Sequence, residues 1–205
     1  HFHCYADPRG LPSSTARLHF RYGYWRHVAL YLGTTPALRR LDGVAQETLK
    51  PQRARLDEMS SGGDIVMESM RDGVRLRPLC SPFGSDSIVV MRPQLAPREV
   101  SLALTRCLSH QGKPYDFNFD FSRSDRLVCT EVIYRAFDGI GAMKLPLIHR
   151  AGRPSLSGDD LIDMAVASQS FDTVAVYAPA FSDEIATGMA AQKLISQARG
   201  TELPQ

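Results

Sequence analysis

The chain has 205 residues, of which 43% are hydrophobic and 22% are charged, and its formal net charge is +2 at pH 7. These values are typical of one globular domain, spanning residues 1–205, that buries a sizeable core. The small net charge gives no reason to expect a nucleic-acid partner. No apolar run approaches the roughly 18 residues that a transmembrane helix requires.

The four cysteines are Cys4, Cys80, Cys107 and Cys129. They show no CxxC spacing and no Cys/His pattern suited to a structural zinc. A reduced chain is the simpler expectation, but two disulfides stay open, and so does the compartment: cell envelope, periplasm or cytoplasm. His1, His3 and Cys4 either form a transition-metal site or belong to a frayed terminus. We otherwise predict no metal and no cofactor.

The first firm element is a short apolar strand over residues 28–32, closed by Gly33. His27 stands at the entrance of this strand, where it is either a structural residue or a general base held on a rigid sheet. Residues 34–63 follow as a polar and basic insertion that contains one weakly amphipathic helix. A connection of this length is either a lid or binding element, or a solvated surface excursion.

Further strands are predicted over residues 64–70, 74–79 and 87–92, with a hairpin turn at Asp72-Gly73 between the first two. The strand over residues 87–92 is nearly all apolar, which indicates a central position in a sheet. Residues 97–111 predict a helix with Pro97 in its first turn and Cys107 on its buried face.

A second helix begins near Cys129 and is buried, with Ser124 or Asp125 as its cap and Gly139 as its end. Cys129 therefore lies near the positive end of the helix dipole, which favours the thiolate over the thiol. A thiolate there is a ready nucleophile if a base lies close to it. The alternative is a core cysteine, because free cysteine is among the most buried residue types.

The remaining segments are assigned from their turn residues and periodicity. Residues 112–121 predict a loop or an extended segment. Within it Phe117, Phe119 and Phe121 alternate with polar residues, which suggests a short strand or the wall of a pocket. Residues 139–154 are irregular, residues 157–164 form a short capped helix, and residues 170–177 form the last strand. Residues 182–199 predict a final helix whose first turn contains Asp183 and Glu184.

These assignments suggest a nucleophilic site. A Cys129–His27 pair makes a thiolate by proton transfer and later returns the proton to the leaving group. A third polar group must hold the imidazole in the correct tautomer. Glu68 is the best candidate, because it interrupts an apolar strand that neighbours the strand of His27, and an unpaired buried acid is costly. It can also be a solvent-facing residue.

Other acids also remain candidates for the third group: Glu131, Asp116 and Asp120. Glu131 has a second interpretation, because an acidic side chain in the first turn complements the positive end of a helix.

The order of these motifs resembles one family of enzymes. The segments are His27-Val-Ala-Leu-Tyr-Leu-Gly33, Val66-Met-Glu68 with Gly73-Val74, Gly112-Lys-Pro-Tyr115-Asp116 and Cys129-Thr-Glu131. Together they are similar to the circularly permuted NlpC-type papain-like cysteine hydrolases, the YiiX/YebB-like group, which is related to the lecithin–retinol acyltransferases. In this permuted branch the histidine precedes the nucleophile, as it does here. The match covers roughly residues 25–137.

The resemblance implies an α+β fold: a permuted papain-like domain with an antiparallel central sheet packed against helices. It implies Cys129 as nucleophile, His27 as base, Glu68 as the residue that orients His27, and Tyr115 as a residue that helps to bind the oxyanion. A phenol aimed at the developing negative charge lowers the barrier by about a few kcal/mol. The alternative for Tyr115 is an ordinary pocket aromatic.

The leading hypothesis for function is a thiol hydrolase that cleaves an amide in a peptide, a cell-wall peptide or an isopeptide. The first alternative is a lipid acyl hydrolase or acyltransferase with the same site, suggested by the relatives and by the three phenylalanines. The second alternative is a binding module that has kept the fold and lost turnover. The partner is accordingly a peptide or lipid acyl substrate, while peripheral membrane or cell-envelope contact and the oligomeric state stay open.

Overall fold

The structure is a computed structural model that describes residues 2–6, 25–38, 40, 47–59 and 63–200, with residues 2–6 described by their backbone. The strands are β1 (Phe2–Ala6), β2 (His27–Thr34), β3 (Asp64–Met70), β4 (Gly73–Pro78), β5 (Ser87–Pro93), β6 (Ile148–Arg150), β7 (Arg153–Ser155), β8 (Phe171–Ala178) and β9 (Ser182–Thr187). The helices are α1 (Thr35–Leu38), α2 (Arg53–Met59), α3 (Pro97–Leu108), α4 (Cys129–Phe137), α5 (Gly158–Val166) and α6 (Gly188–Gly200).

Seven strands form one sheet in the order β4-β3-β2-β1-β5-β8-β9. Every neighbouring pair in this sheet is antiparallel. The strands β6 and β7 form a separate hairpin. The predicted α+β class with an antiparallel central sheet is therefore confirmed.

The helices cover two regions of this sheet. α4 packs against β2 and β3 and against α3, while α5 and α6 pack against β8. The core includes Trp25, Leu30 and Phe137, each at most 2% exposed. No described helix is both long enough and apolar enough to cross a membrane. The packing places the first turn of α4 over the two strands that the sequence analysis singled out.

Most predicted strands are confirmed. The prediction for residues 28–32 corresponds to β2, those for residues 64–70 and 74–79 to β3 and β4, and that for residues 87–92 to β5, which lies in the interior of the sheet. Gly73 closes the predicted hairpin with φ 93°, a conformation that other residues rarely adopt. In the insertion, which is predicted to contain one amphipathic helix, the described residues include α2, and Leu49 and Leu56 are buried.

The prediction of one helix over residues 182–199 is wrong in its first third. Residues 182–187 are β9, which pairs with β8, and α6 begins only at Gly188, where φ is 56°. Asp183 and Glu184 therefore lie on an edge strand, not in a first helical turn, and β8 is not the last strand. Cross-strand pairing supplies partners for the backbone groups of residues 182–187, and periodicity alone does not reveal that pairing.

Three smaller predictions are corrected. Residues 2–6 are not a frayed end, because they pair with both β2 and β5. The helix predicted over residues 97–111 ends at Leu108. Residues 139–154, predicted as irregular, contain most of the β6–β7 hairpin. Residues 112–121 are a loop, which is one of the two alternatives predicted for them.

Candidate active site

Cys129 is the first residue of α4, and the chain enters that helix from an extended Val128. The Oε2 atom of Glu131 accepts a hydrogen bond of 3.0 Å from the Val128 N–H, so Glu131, and not Ser124 or Asp125, caps the helix. The predicted caps were wrong because the chain stays non-helical until Val128. Cys129 is only 9% exposed. Its side chain is thus held at the positive end of a buried helix.

His27 begins β2, and Glu68 lies on the adjacent strand β3. In the antiparallel register Ala29 lies opposite Glu68, so His27 and Glu68 are diagonal neighbours on one face of the sheet. The Nε2 atom of His27 lies 3.2 Å from the Oε1 atom of Glu68. The Cys129 thiol is a further hydrogen-bond partner of the imidazole. Because Nε2 faces Glu68, Nδ1 is the ring nitrogen that remains for the sulfur.

Cys129 and His27 each stabilise the charged form of the other. Burial lowers the pKa of His27, but the negative charges and hydrogen bonds of Cys129 and Glu68 reverse this effect and raise it to about 9. Burial raises the pKa of Cys129, but the positive imidazole and hydrogen bonds from the backbone N–H groups of Val28 and Thr130 bring it below its ordinary value. Both shifts therefore favour a thiolate–imidazolium pair over a neutral thiol and a neutral imidazole.

Glu68 is 1% exposed, and its carboxylate has further polar partners besides His27. Its Oε2 atom accepts a hydrogen bond of 2.6 Å from the Ser81 hydroxyl and lies 3.5 Å from the Arg77 Nε atom. Burial raises the pKa of Glu68, but the bonds from His27 and Ser81 and the charge of Arg77 bring it below its ordinary value. The acid therefore stays ionised behind the imidazole.

Ser81 and Arg77 are residues that the sequence analysis missed. Arg77 is on β4, beside β3, and Ser81 follows β4 in the turn that precedes a short 3₁₀ helix at Pro82–Gly84. The one usable signal was the rule that a buried acid requires partners, combined with an arginine on the next strand of the hairpin. Nothing in the local sequence marks Ser81.

Tyr115 lies on a loop whose backbone pairs with the segment before α4. The N–H of Asp116 donates to the Leu127 carbonyl at 3.4 Å, and the N–H of Leu127 donates to the Pro114 carbonyl at 3.0 Å. Tyr115 thus lies alongside the residues that lead directly into Cys129. Its ring is half-buried against the core and makes edge contacts with Phe117 and Phe119, with centroids 5.0 and 6.3 Å apart.

The three other candidate acids are engaged elsewhere. Glu131 caps α4, as described above, and also contacts Arg135 at 3.3 Å. The Asp116 carboxylate accepts hydrogen bonds from the backbone N–H groups of Asn118 and Asp120. The Asp120 carboxylate accepts from the Ser122 hydroxyl. These acids stabilise the helix start and the loop after Tyr115, and Glu68 makes the contact with His27.

Two other cysteines among the described residues, Cys80 and Cys107, have different environments. Cys107 is fully buried among apolar residues, which confirms the core prediction, and Cys80 is exposed. The alternative metal site falls on His1 and on the side chains of His3 and Cys4, which lie outside the described residues. Within the described part of the chain, no group of three or more His, Cys, Asp or Glu side chains is placed to hold a metal ion.

Comparison with known proteins identifies the family to which the chain belongs. No match was found among curated proteins or among solved structures. A family model described as "permuted papain-like amidase enzyme, YaeF/YiiX, C92 family" matches residues 13–195, a span that contains Cys129, His27, Glu68 and Tyr115. The chain belongs to this family of permuted papain-like amidases.

Proposed function

We propose that the chain hydrolyses an amide bond through a thioester at Cys129, with His27 as the base, Glu68 as the group that orients His27, and Tyr115 as an oxyanion donor. The observation that carries this proposal is the hydrogen-bonded series of sulfur, imidazole and carboxylate. Three separate elements, α4, β2 and β3, supply it. Such a series activates a nucleophile and fixes the tautomer of its base.

The first step is attack of the Cys129 thiolate on the carbonyl carbon of the amide. A carbon–sulfur bond forms and the carbonyl π electrons move to oxygen, giving a tetrahedral oxyanion. The Tyr115 hydroxyl and the N–H of Cys129, which lies in the first turn of α4, are the donors proposed to stabilise that oxyanion.

The second step is collapse of the tetrahedral intermediate. The carbon–nitrogen bond breaks, and the His27 imidazolium donates its Nδ1 proton to the leaving nitrogen, so the amine departs neutral. Neutral His27 then removes a proton from water, whose oxygen attacks the thioester. The carbon–sulfur bond breaks, releasing the carboxylic acid and restoring the thiolate and the imidazolium.

The substrate class proposed is an amide in a peptide, a cell-wall peptide or an isopeptide, in line with the amidase description of the family. One observation favours a lipid acyl ester or amide as the second candidate. Phe117 and Phe119 are 65% and 42% exposed beside Tyr115, although large apolar side chains are usually buried. An acyl chain would cover both rings.

The substrate test is mass spectrometry of acid-quenched protein after incubation with short peptides, with cell-wall peptides or with phospholipid vesicles. We expect a mass increase on Cys129 that equals the acyl part of a peptide, together with release of its amine. The variant Cys129→Ala is the blank. An adduct that carries a fatty-acyl mass, with none from any peptide, would replace the amide proposal by the lipid proposal.

Alkylation kinetics test whether the site is active at all. We expect iodoacetamide to label Cys129 at pH 6 faster than the exposed Cys80, and His27→Ala to abolish that advantage. Equal rates for the two cysteines, unaffected by His27, would indicate a binding module without turnover.

A further inference from the structure

A second site is suggested by a cationic pocket at the junction of α3 and α4. This pocket has a volume of about 340 Å³, which lies within the usual range for small-ligand sites, roughly 300–1,000 Å³. Its wall includes Arg106 and His110 from α3 and the residues after it, Lys113 from the following loop, and Tyr134 and Arg135 from α4.

The cations of this pocket are held by backbone carbonyls. Arg106 donates to the Asp138 carbonyl at 3.1 Å, Lys113 to the Ser124 carbonyl at 2.7 Å, and Arg135 to the Phe121 carbonyl at 3.0 Å. Among the described residues, neither Arg106 nor Lys113 forms a salt bridge with an acid. A carbonyl orients a cation without neutralising its charge.

The acids near the pocket leave it with an excess of positive charge. The one carboxylate in the lining belongs to Asp138, and it accepts a hydrogen bond from the Leu145 N–H. Glu131 contacts Arg135, and its other oxygen is occupied by the helix cap. Since Glu131 pairs with Arg135, Arg106 and Lys113 remain as two cations that face one carboxylate of the pocket lining.

Residues of the pocket wall also carry buried polar atoms that are unsatisfied. Among the described residues, the buried Nδ1 atom of His110 and the buried Nε atom of Arg135 have no hydrogen-bond partner. Buried polar atoms are usually paired, so such atoms call for an explanation. Burial, with the charges of Lys113 and Arg135, lowers the pKa of His110 to about 4, which agrees with a positive potential in the pocket.

We infer that this pocket binds a phosphate group, with Arg106, Lys113 and Arg135 as charged donors. A guanidinium presents paired N–H donors and an ammonium supplies a point charge, and proteins combine the two to bind phosphate oxygens. The ligand is either free phosphate or the phosphate of an ester. The site is separate from Cys129, which lies at the opposite end of α4.

The test is isothermal titration calorimetry of the full chain with inorganic phosphate and with glycerol phosphate, at an ionic strength fixed by chloride. We expect saturable binding, and at least about tenfold weaker binding for Lys113→Gln and for Arg106→Gln, because each loses a charge-assisted donor. Arg98→Gln is the matched control, since it removes an equal charge from the exposed first turn of α3, and it should bind like the native chain.

Binding of both ligands would indicate a site for phosphate esters, and binding of inorganic phosphate alone would indicate a site for the free ion. The inference is overturned if neither ligand binds, if acetate binds as tightly as phosphate, or if all three variants weaken binding equally. Thermal unfolding of each variant without ligand verifies that it is folded. Since Arg106 and Lys113 lie outside the catalytic residues, amidase failure would not affect the outcome.

Discussion

The last turn of α3 and the first turn of α4 each contain a buried cysteine, and the two helices pack against each other. Cys107 is fully buried near the end of α3, and burial raises the pKa of its thiol. Cys129 is buried at the start of α4, where the imidazole of His27 brings the pKa of its thiol below the ordinary value. Burial alone therefore raises the pKa of a thiol, whereas a charged partner at a helix start lowers it.

The same contrast applies to the two buried glutamates. Glu68 has His27, Ser81 and Arg77 as partners, and the pKa of its carboxyl lies below the ordinary range. Glu131 is also fully buried, and burial raises the pKa of its carboxyl to about 7, although Val128 and Arg135 oppose that shift. The number and charge of the partners decide which acid is ionised inside the core.

The largest effect is expected from removing the sulfur of the proposed nucleophile, Cys129. Cys129→Ser should lower kcat/KM by roughly 10³-fold or more, because a serine hydroxyl beside this imidazole is a much weaker nucleophile. The measurement is the initial rate of amide hydrolysis at substrate concentrations well below KM, which gives kcat/KM. Cys107→Ala is the matched control: it removes the inert sulfur, so kcat/KM should stay near the native value. Equal losses in both variants would contradict the contrast between the two cysteines.

The second largest effect is expected from removing His27, the proposed base beside Cys129. His27→Ala should lower kcat/KM by roughly 10²–10⁴-fold, because it removes the general acid and base. It should also raise the pKa of Cys129, since burial then acts without an opposing charge. The rate of iodoacetamide labelling against pH measures that shift. An unchanged labelling profile would mean that the helix start alone activates the sulfur.

A smaller loss of kcat/KM is expected from changing Glu68 or Ser81, which support the imidazole of His27. Glu68→Gln should lower kcat/KM by roughly 10²-fold, and Ser81→Ala by about tenfold, because each weakens the carboxylate that orients and charges His27. In the native chain kcat/KM should fall as the pH rises through about 9, where His27 loses its proton. Glu68→Gln should move that alkaline limb to lower pH.

The pH shift distinguishes an orienting role from a structural one. If Glu68→Gln lowered activity and left the alkaline limb in place, Glu68 would stabilise the sheet without acting on His27. The pH–rate profiles of the native chain and the variant, measured with one substrate, decide between these outcomes.

The smallest effect is expected from Glu131 at the start of α4, on the pH dependence of the free energy of unfolding. Because the pKa of Glu131 is raised from 4.5 to about 7, the folded chain holds a proton that the unfolded chain releases between these values. The contribution of Glu131 to the free energy of unfolding should thus decrease by about 1–3 kcal/mol as the pH rises from 4.5 to 7. Glu131→Gln should remove that decrease in urea unfolding series.

Glu184→Gln is the control for this experiment, because Glu184 is an exposed glutamate on β9. It should reproduce the pH dependence of the native chain. The interpretation of Glu131 is wrong if its variant and this control show the same dependence.

Some features of the site were predictable because they have local signatures. The strand of His27, the hairpin that contains Glu68 and the buried helix that begins near Cys129 follow from apolar periodicity and turn residues. The β9 strand was not predictable in this way, since residues 182–187 are a strand only because β8 offers them a hydrogen-bonding edge. Arg77 and Ser81 were missed for the same reason: their role depends on a carboxylate contributed by another segment.

The sequence by itself determined the element types around the site, the position of Cys129 near a helix start, and the order in which the histidine precedes the cysteine. Periodicity, turn residues and short motifs are local properties, and they can be read from the chain. Only the tertiary structure decided that His27 and Glu68 are diagonal neighbours, that Ser81 and Arg77 keep Glu68 charged, and which cysteine meets an imidazole. Charge inside a core depends on distances between groups that are remote along the chain, and folding sets those distances.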